Sequence, residues 1–196
     1  MRKIAVFGAS GRTGRYLVEE VIAQGYIPVC LVREESTNKP IQTEVVTHLG
    51  SPMNYGAVLE TIEGCDAVLC ALNIARKSDF PWSTVTSPPN LLEESMKNIV
   101  NAMKEKGIKR VITVSAWGVG DSYKEVNWMF RFLINKTNVG VAYKGHEDQE
   151  RILRNSSLNW TAVRPVGLNN DTTPHPTQIS QNGSKKLRMM ISRQDV

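Results

Sequence analysis

Short apolar runs alternate along the chain with segments of helical period. Ile4 to Phe7 is an apolar run bounded by glycine, the pattern of a strand buried on both faces. Tyr16, Leu17, Val21 and Ile22 then recur at helical spacing, Gly25 supplies a C-terminal stop, and Ile27 to Val32 reads as a second buried strand. The opening segment is therefore a βαβ unit. Glu44 to Thr47 predicts a third strand, Tyr55 to Ile62 a helix, and Ala67 to Ala71 a fourth strand. Leu92, Ser95, Met96, Ile99, Val100 and Met103 line one helical face that closes at Gly107, before a strand over Arg110 to Val114. A helix from about Gly145 to Arg154 and a sixth strand from Asn159 to Val163, ended by Pro165, complete the series. This order predicts an α/β fold, a Rossmann-type doubly wound parallel sheet with helices on both faces.

Three segments break the alternation: Ile74 to Pro89, Gly118 to Val141, and everything after Pro165. They follow the fourth, fifth and sixth strands, so they should converge at the carboxyl edge of the sheet, where ligands of open α/β sheets lie. The first carries Arg76, Lys77, Phe80 and Trp82, cations beside flat rings that suit a planar anionic acceptor as well as an ordinary loop. In the second, Trp128, Met129, Phe130, Phe132, Leu133 and Ile134 favour a core-packing helix over a substrate lid. With 196 residues, 41% of them hydrophobic, the chain can bury one sizeable core. One domain over 1–196 is expected, with a dinucleotide-binding core at 1–164 and a substrate-side segment at 165–196.

The turn after the first strand reads Gly8-Ala9-Ser10-Gly11-Arg12-Thr13-Gly14. Gly8 suits a tight turn, Gly11 a close approach of backbone to phosphate, and Gly14 close helix-to-strand packing. The first N–H groups of the following helix then face an anion, the pyrophosphate of a nicotinamide dinucleotide. A glycine turn without a ligand is the alternative. The net charge of +5 comes from Lys and Arg interspersed with Asp and Glu, which fits a phosphorylated ligand and argues against nucleic acid. Cys30, Cys65 and Cys70 form no CxxC pair and no zinc-finger spacing, so free buried thiols in a reducing compartment are expected, and no metal. No signal-peptide pattern precedes the first strand, and no apolar stretch approaches the ~20 residues that span a bilayer. A cytoplasmic protein without a membrane partner is expected.

The GxxGxxG spacing resembles that of the short-chain dehydrogenase/reductase superfamily. Leu31-Val32-Arg33, Val114-Ser115-Ala116 and Trp160-Thr161-Ala162-Val163-Arg164-Pro165 narrow the resemblance to its atypical NAD(P)H-binding, NmrA-like branch. Within that branch the chain is similar to the flavin reductase/biliverdin-IXβ reductase type. Arg33 stands where an Arg accommodates a 2′-phosphate, and Arg12 can add a second cation, so NADPH is expected rather than NADH. Glu34 is a competing signal, and a solvated surface charge is the other reading of Arg33. Leu72 and Pro165, past the fourth and sixth strands, complete the residues expected to touch the dinucleotide.

The resemblance makes Ser115 the active-site serine, which bonds a substrate carbonyl or the nicotinamide amide. It places Ala142 where the superfamily has its catalytic Tyr and His146 where it has Lys, with Tyr143 and Lys144 out of phase. Ser115 and His146 are thus the candidate catalytic residues, a core or surface histidine being the alternative for His146 and a displaced acid the alternative role for Tyr143. Without the Tyr, the chemistry implied is hydride transfer to a small planar acceptor such as a flavin, which takes its proton from water. A non-catalytic NAD(P) sensor that meets a regulatory protein partner is the alternative, and a Tyr- and Lys-dependent epimerase ranks last. Gly50 is followed by Ser51 and Pro52 rather than by the family's Asp, which implies weaker or backbone-based adenine recognition. Relatives open a helix at Ile191 to Val196, so either the natural product is longer or the substrate wall is small.

Overall fold

The computed structural model describes residues 1–34, 45–173, 176–181 and 188–196. Six parallel strands, β1 (Lys3–Phe7), β2 (Ile27–Val32), β3 (Val46–Leu49), β4 (Ala67–Cys70), β5 (Arg110–Val114) and β6 (Asn159–Val163), form one sheet in the order β3-β2-β1-β4-β5-β6. The expected Rossmann-type sheet is therefore present. Its strand order reverses between β1 and β4, which pair in register from Ile4 with Ala67 to Phe7 with Cys70. That reversal opens a crevice at the carboxyl ends of these two strands.

Alternate residues of each strand face opposite layers, as the two-residue period requires. Val6, Cys30 and Val32 pack with Val18 and Val21 of α1 (Gly14–Ala23). On the other face, Ala5, Phe7, Leu31, Val68 and Val111 meet Ile62 of α2 (Tyr55–Ile62), Ile99 and Met103 of α3 (Leu91–Glu105), and Leu153 of α5 (Val139–Arg154). Helices thus cover both faces. A short fourth helix, α4 (Trp128–Lys136), and a parallel pair, β7 (Gly167–Asn169) with β8 (Met190–Ser192), lie outside the main sheet.

Two element boundaries differ from the sequence reading. The third strand is Val46–Leu49 rather than Glu44 to Thr47, and Glu44 lies outside the described residues. The fifth helix begins at Val139, not near Gly145. Its glycines mark close packing instead of a boundary: a Cβ at Gly140 would overlap the Ile134 carbonyl, and one at Gly145 would press on Leu92 at 3.0 Å.

All three cysteines are free and buried. Burial pushes the Cys30 thiol up to about 12 and the Cys65 thiol up to about 11, and it raises Cys70 in the same direction. Thiolate, the reactive form, is therefore scarce at neutral pH. A colorimetric thiol reagent should react negligibly with the folded protein within minutes and with all three thiols in denaturant. Fast reaction of any of them in buffer would contradict this packing.

Candidate functional site

The glycine turn sits in the crevice because two backbones meet there. Gly8 adopts a φ of 85°, and a Cβ on it would lie 2.8 Å from the Ala71 backbone at the end of β4. A Cβ on Gly14 would overlap the Gly8 carbonyl oxygen. The Gly11 N–H closes the turn onto that same carbonyl at 2.9 Å. Among the described residues, nothing accepts from the backbone N–H groups of Ser10, Arg12 or Thr13. No side chain caps α1, and its first turn carries no acid. A cradle with room for atoms but not for Cβ groups, beside unsatisfied donors at a positive helix end, fits a dinucleotide pyrophosphate. Ala9 is buried behind the turn, and Leu72, half-buried, packs on the core at the end of β4.

Arg33 is exposed one residue past β2, where the adenosine ribose of a bound dinucleotide would approach. Pro165 accepts from the Trp117 N–H at 2.9 Å, which extends the β5–β6 pairing beyond both strands. Ser115 therefore stands in a fixed backbone frame, its N–H held by the Val163 carbonyl at 2.7 Å.

The Ser115 side chain changes the expected chemistry. It is 4% exposed, and its hydroxyl donates to Glu150 Oε1 at 2.7 Å. Glu150 is fully buried in the first layer under the serine. Arg164 grips it through Nε at 2.8 Å and Nη2 at 2.6 Å, and Arg154 adds a third contact at 2.7 Å. Arg164 also reaches Asp121 at 2.7 Å. Burial works to raise the Glu150 carboxyl, but hydrogen bonds from Arg164 and Ser115 outweigh it and hold the group below the usual carboxylate range. An ionised carboxylate only accepts hydrogen bonds. The Ser115 proton is thus committed to Glu150, and the serine offers lone pairs to an N–H rather than a proton to a carbonyl.

His146 is 3% exposed, its Nδ1 paired with Gln149 Oε1 at 3.2 Å. Burial pushes its pKa down to about 4, so at neutral pH it carries no charge. It cannot supply the cation that the resemblance implies at this position. Gln149 in turn donates to Thr113 Oγ1 on β5, so the His146 bond belongs to a core network between helix and sheet. Tyr143 donates its phenol proton to the Trp117 carbonyl at 3.1 Å, and burial pushes its pKa up to about 12. Lys144 bonds both oxygens of Asp148 at 3.1 Å. Neither group forms a proton relay.

Sequence reasoning missed Glu150, Arg154, Arg164 and Asp121. Glu150 and Arg154 were legible as an i,i+4 pair on the predicted helix, and Arg164 lies within the segment quoted for the resemblance. The burial of Glu150 beneath Ser115, and its meeting with Arg164, were not legible, because they depend on how β5, β6 and α5 stack.

The first two insertions meet each other and the glycine turn. Asn138, at the junction of α4 and α5, bonds the carbonyls of Pro81, Trp82 and Ser83, each at 3.1 Å. Arg12 in the glycine turn forms a two-point ion pair with Asp79 in the first insertion, at 2.7 and 2.9 Å. The expectation of a core-packing α4 is corrected. Asn127 caps it, accepting from the Phe130 N–H at 2.9 Å, but of its residues only Ile134 is buried, and Trp128 is 82% exposed. The helix stands on the rim, held mainly by α5, so only one side of it finds apolar neighbours; Phe130 packs there on Trp117 and Tyr143. A cavity of about 760 Å³ lies behind it, lined by Tyr123, Ile134, Tyr143, Lys144 and Glu147. Ser115, His146 and the glycine turn do not line this cavity.

The chain belongs to the NAD(P)H-binding family, which it matches over residues 8–196. It is similar to an uncharacterized chloroplastic protein of Arabidopsis thaliana, with 24% identity over 177 residues; the match covers 87% of this chain and 60% of the relative. Its fold matches a short-chain dehydrogenase/reductase from Veillonella parvula at a TM-score of 0.77 and 20% identity, over 99% of this chain and 82% of that one. The same protein in complex with NADP aligns at 0.73. ChuY, described as an anaerobillin reductase from Escherichia coli O157:H7, aligns at 0.75 with 21% identity, over 98% of this chain and 85% of that one. No helix among the described residues is long and apolar enough to cross a membrane.

Two stability predictions follow from the buried groups. Glu150→Ala removes the shared anion, but Arg154 and Arg164 keep 42% and 23% of their side-chain surface in solvent and can be rehydrated, so the loss is about 1–3 kcal/mol; urea denaturation at pH 7 measures it, and a loss below about 0.5 kcal/mol would place the network in solvent. Between pH 6.5 and about 4 the unfolded chain binds a proton at His146 that the folded chain refuses. Stability from this group is full above pH 6.5 and is lost as pH falls towards 4, by up to about 3 kcal/mol. A His146→Asn variant should show a flatter stability profile across that window in the same denaturation series.

Proposed function

We propose that this member of the NAD(P)H-binding family is an NADPH-dependent reductase that passes hydride to a small, planar, conjugated acceptor, flavins being the first class to test. The observation that carries the reading is that, among the described residues, no proton donor is poised: the resemblance puts Ala142 at the tyrosine position, Tyr143 is spent on the Trp117 carbonyl, and Lys144 is tied to Asp148. Alcohol or carbonyl chemistry needs a positioned acid or base. A conjugated acceptor can take hydride at an electrophilic atom and its proton from water, so the protein need only bind and orient two rings. When bound, the dinucleotide supplies that hydride from its nicotinamide ring.

The chain's residues divide this work. Residues 8–14 cradle the pyrophosphate, and Leu72 and Pro165 flank the cofactor where β4 and β6 end. Ser115, fixed by Glu150, accepts from the carboxamide N–H and so sets which ring face is presented. Arg33 favours a 2′-phosphate, and the NADP complex of the Veillonella neighbour supports that choice. The resemblance to NmrA-like proteins and to the flavin reductase/biliverdin-IXβ reductase type points the same way, as does a neighbour named as a reductase. The burial of Ser115 favours one rival, an NAD(P) sensor that binds without turnover.

The test is NADPH oxidation with FMN, FAD and quinones. Turnover should prefer NADPH over NADH, and Arg33→Asp should abolish the preference. Tyr143→Phe should keep its rate within about twofold, whereas a loss beyond ~100-fold would reveal general acid catalysis by the phenol. Ser115→Ala should slow turnover by about tenfold, the scale of one lost orienting hydrogen bond. Nucleotide binding without turnover of any acceptor would favour the sensor.

A further inference from the structure

The first insertion is a folded hairpin, and its tip is fastened at two places. Arg76 and Val85 pair across it as an antiparallel bridge, the Lys77 N–H donates to the Thr84 carbonyl at 2.9 Å, and the Thr86 N–H donates to the Ala75 carbonyl at 2.9 Å. The Arg76 guanidinium closes the tip from within, donating to the carbonyls of Phe80 at 2.9 Å and Pro81 at 3.3 Å. Residues 75–86 therefore hold together as one piece. On one side Asn138 grips this piece through three carbonyls, one bonded by its backbone N–H and two by its side-chain amide. On the other side a single ion pair, Arg12 with Asp79, ties it to the glycine turn.

The two fastenings differ in strength. Asn138 is half-buried and meets carbonyls of fixed backbone. The Arg12 and Asp79 side chains are 57% and 75% exposed, and an ion pair so open to water contributes little and is screened by salt. The pair nevertheless joins the two walls of the crevice, since Arg12 follows β1 and the hairpin follows β4, the strands at which the order reverses. Its geometry is a guanidinium fork on two oxygens, with Nη1 at 2.7 Å from Oδ2 and Nη2 at 2.9 Å from Oδ1. Two oxygens of a phosphate satisfy the same fork. A phosphate in the cradle gains in addition the N–H groups of the turn and the positive end of α1, none of which Asp79 uses.

We propose that Asp79 is a tethered competitor for the dinucleotide's phosphate. It holds the Arg12 fork until a phosphate takes it over, and the exchange releases the hairpin tip, which then swings about Asn138. The proposal rests on the cofactor reading above and adds to it a way for nucleotide entry to open the acceptor side of the crevice. Phe80 and Trp82, exposed on the tip with ring centroids 5.4 Å apart, move with it.

Asp79→Asn removes the competing charge at an exposed position and so leaves the fold intact. By calorimetric titration at low salt it should bind NADPH about three- to fivefold more tightly than the parent, the scale of one exposed ion pair. The gain should shrink in about 0.5 M salt, and it should vanish in an Arg12→Gln background, where no fork is left to release. An equal gain for NADH places Arg12 on the pyrophosphate, and a gain for NADPH alone places it on the 2′-phosphate; either supports the competitor. NADPH should also speed trypsin cleavage after Lys77 in the parent, and Asp79→Asn should be cut at the faster rate without nucleotide. Unchanged affinity in Asp79→Asn would reduce the pair to a surface contact, and weaker binding would make it a strap that closes over bound cofactor; both overturn the proposal. Cleavage that NADPH slows or leaves unchanged would overturn the release of the tip. If the unaltered protein binds neither nucleotide, the cofactor reading itself fails, and the competitor with it.

Discussion

At the carboxyl ends of β1 and β4, backbone packs on backbone with no room for a side chain. Gly8 lies against Ala71, and Gly14 against Gly8, at separations that any Cβ would violate. This close approach draws the start of α1 over the point where strand order reverses, with its first donors unpaired. The rest of the site is placed relative to it. Arg12 extends from the turn to Asp79, and Leu72 continues from the strand beside it.

A second constraint holds the other half of the crevice. Glu150 is a buried charge on α5 that binds Ser115 at the end of β5 and Arg164 at the end of β6, and Arg164 in turn holds Asp121 of the 120–125 turn. Buried ion pairs are poor sources of stability, since apolar residues of the same shape often do as well. Their value lies in direction. The carboxylate sets the proton of Ser115, and thereby the kind of group that the serine can recognise. Structure and recognition specificity meet in one side chain.

The two halves differ in how they meet a ligand. The glycine turn offers backbone N–H groups and a helix end, which suit phosphate. The Ser115 side offers an acceptor, a neutral buried His146 and a tyrosine already engaged, which suits orientation more than proton transfer. Around them the rim presents Phe80, Trp82, Trp128 and Phe132 to solvent, aromatic surface that the core did not absorb.

Hydrophobic period alone located five of the six sheet strands to within a residue and the glycine turn between β1 and α1, because burial on one or two faces imposes a period on the residues themselves. It also placed Arg33 and Ser115 at strand ends. It misjudged α4, since an apolar helix on a rim and one in a core carry the same pattern, and it began α5 near Gly145, whereas the helix starts at Val139 and its Gly140 and Gly145 mark tight packing. The decisive pairings stayed hidden for a different reason. Ser115 and Glu150 are 35 residues apart, and Arg12 and Asp79 are 67 apart. A sequence states which residues must be buried, since that depends on their neighbours along the chain. Which buried charge meets which hydroxyl depends on strand order and loop path, and those exist only once the chain has folded.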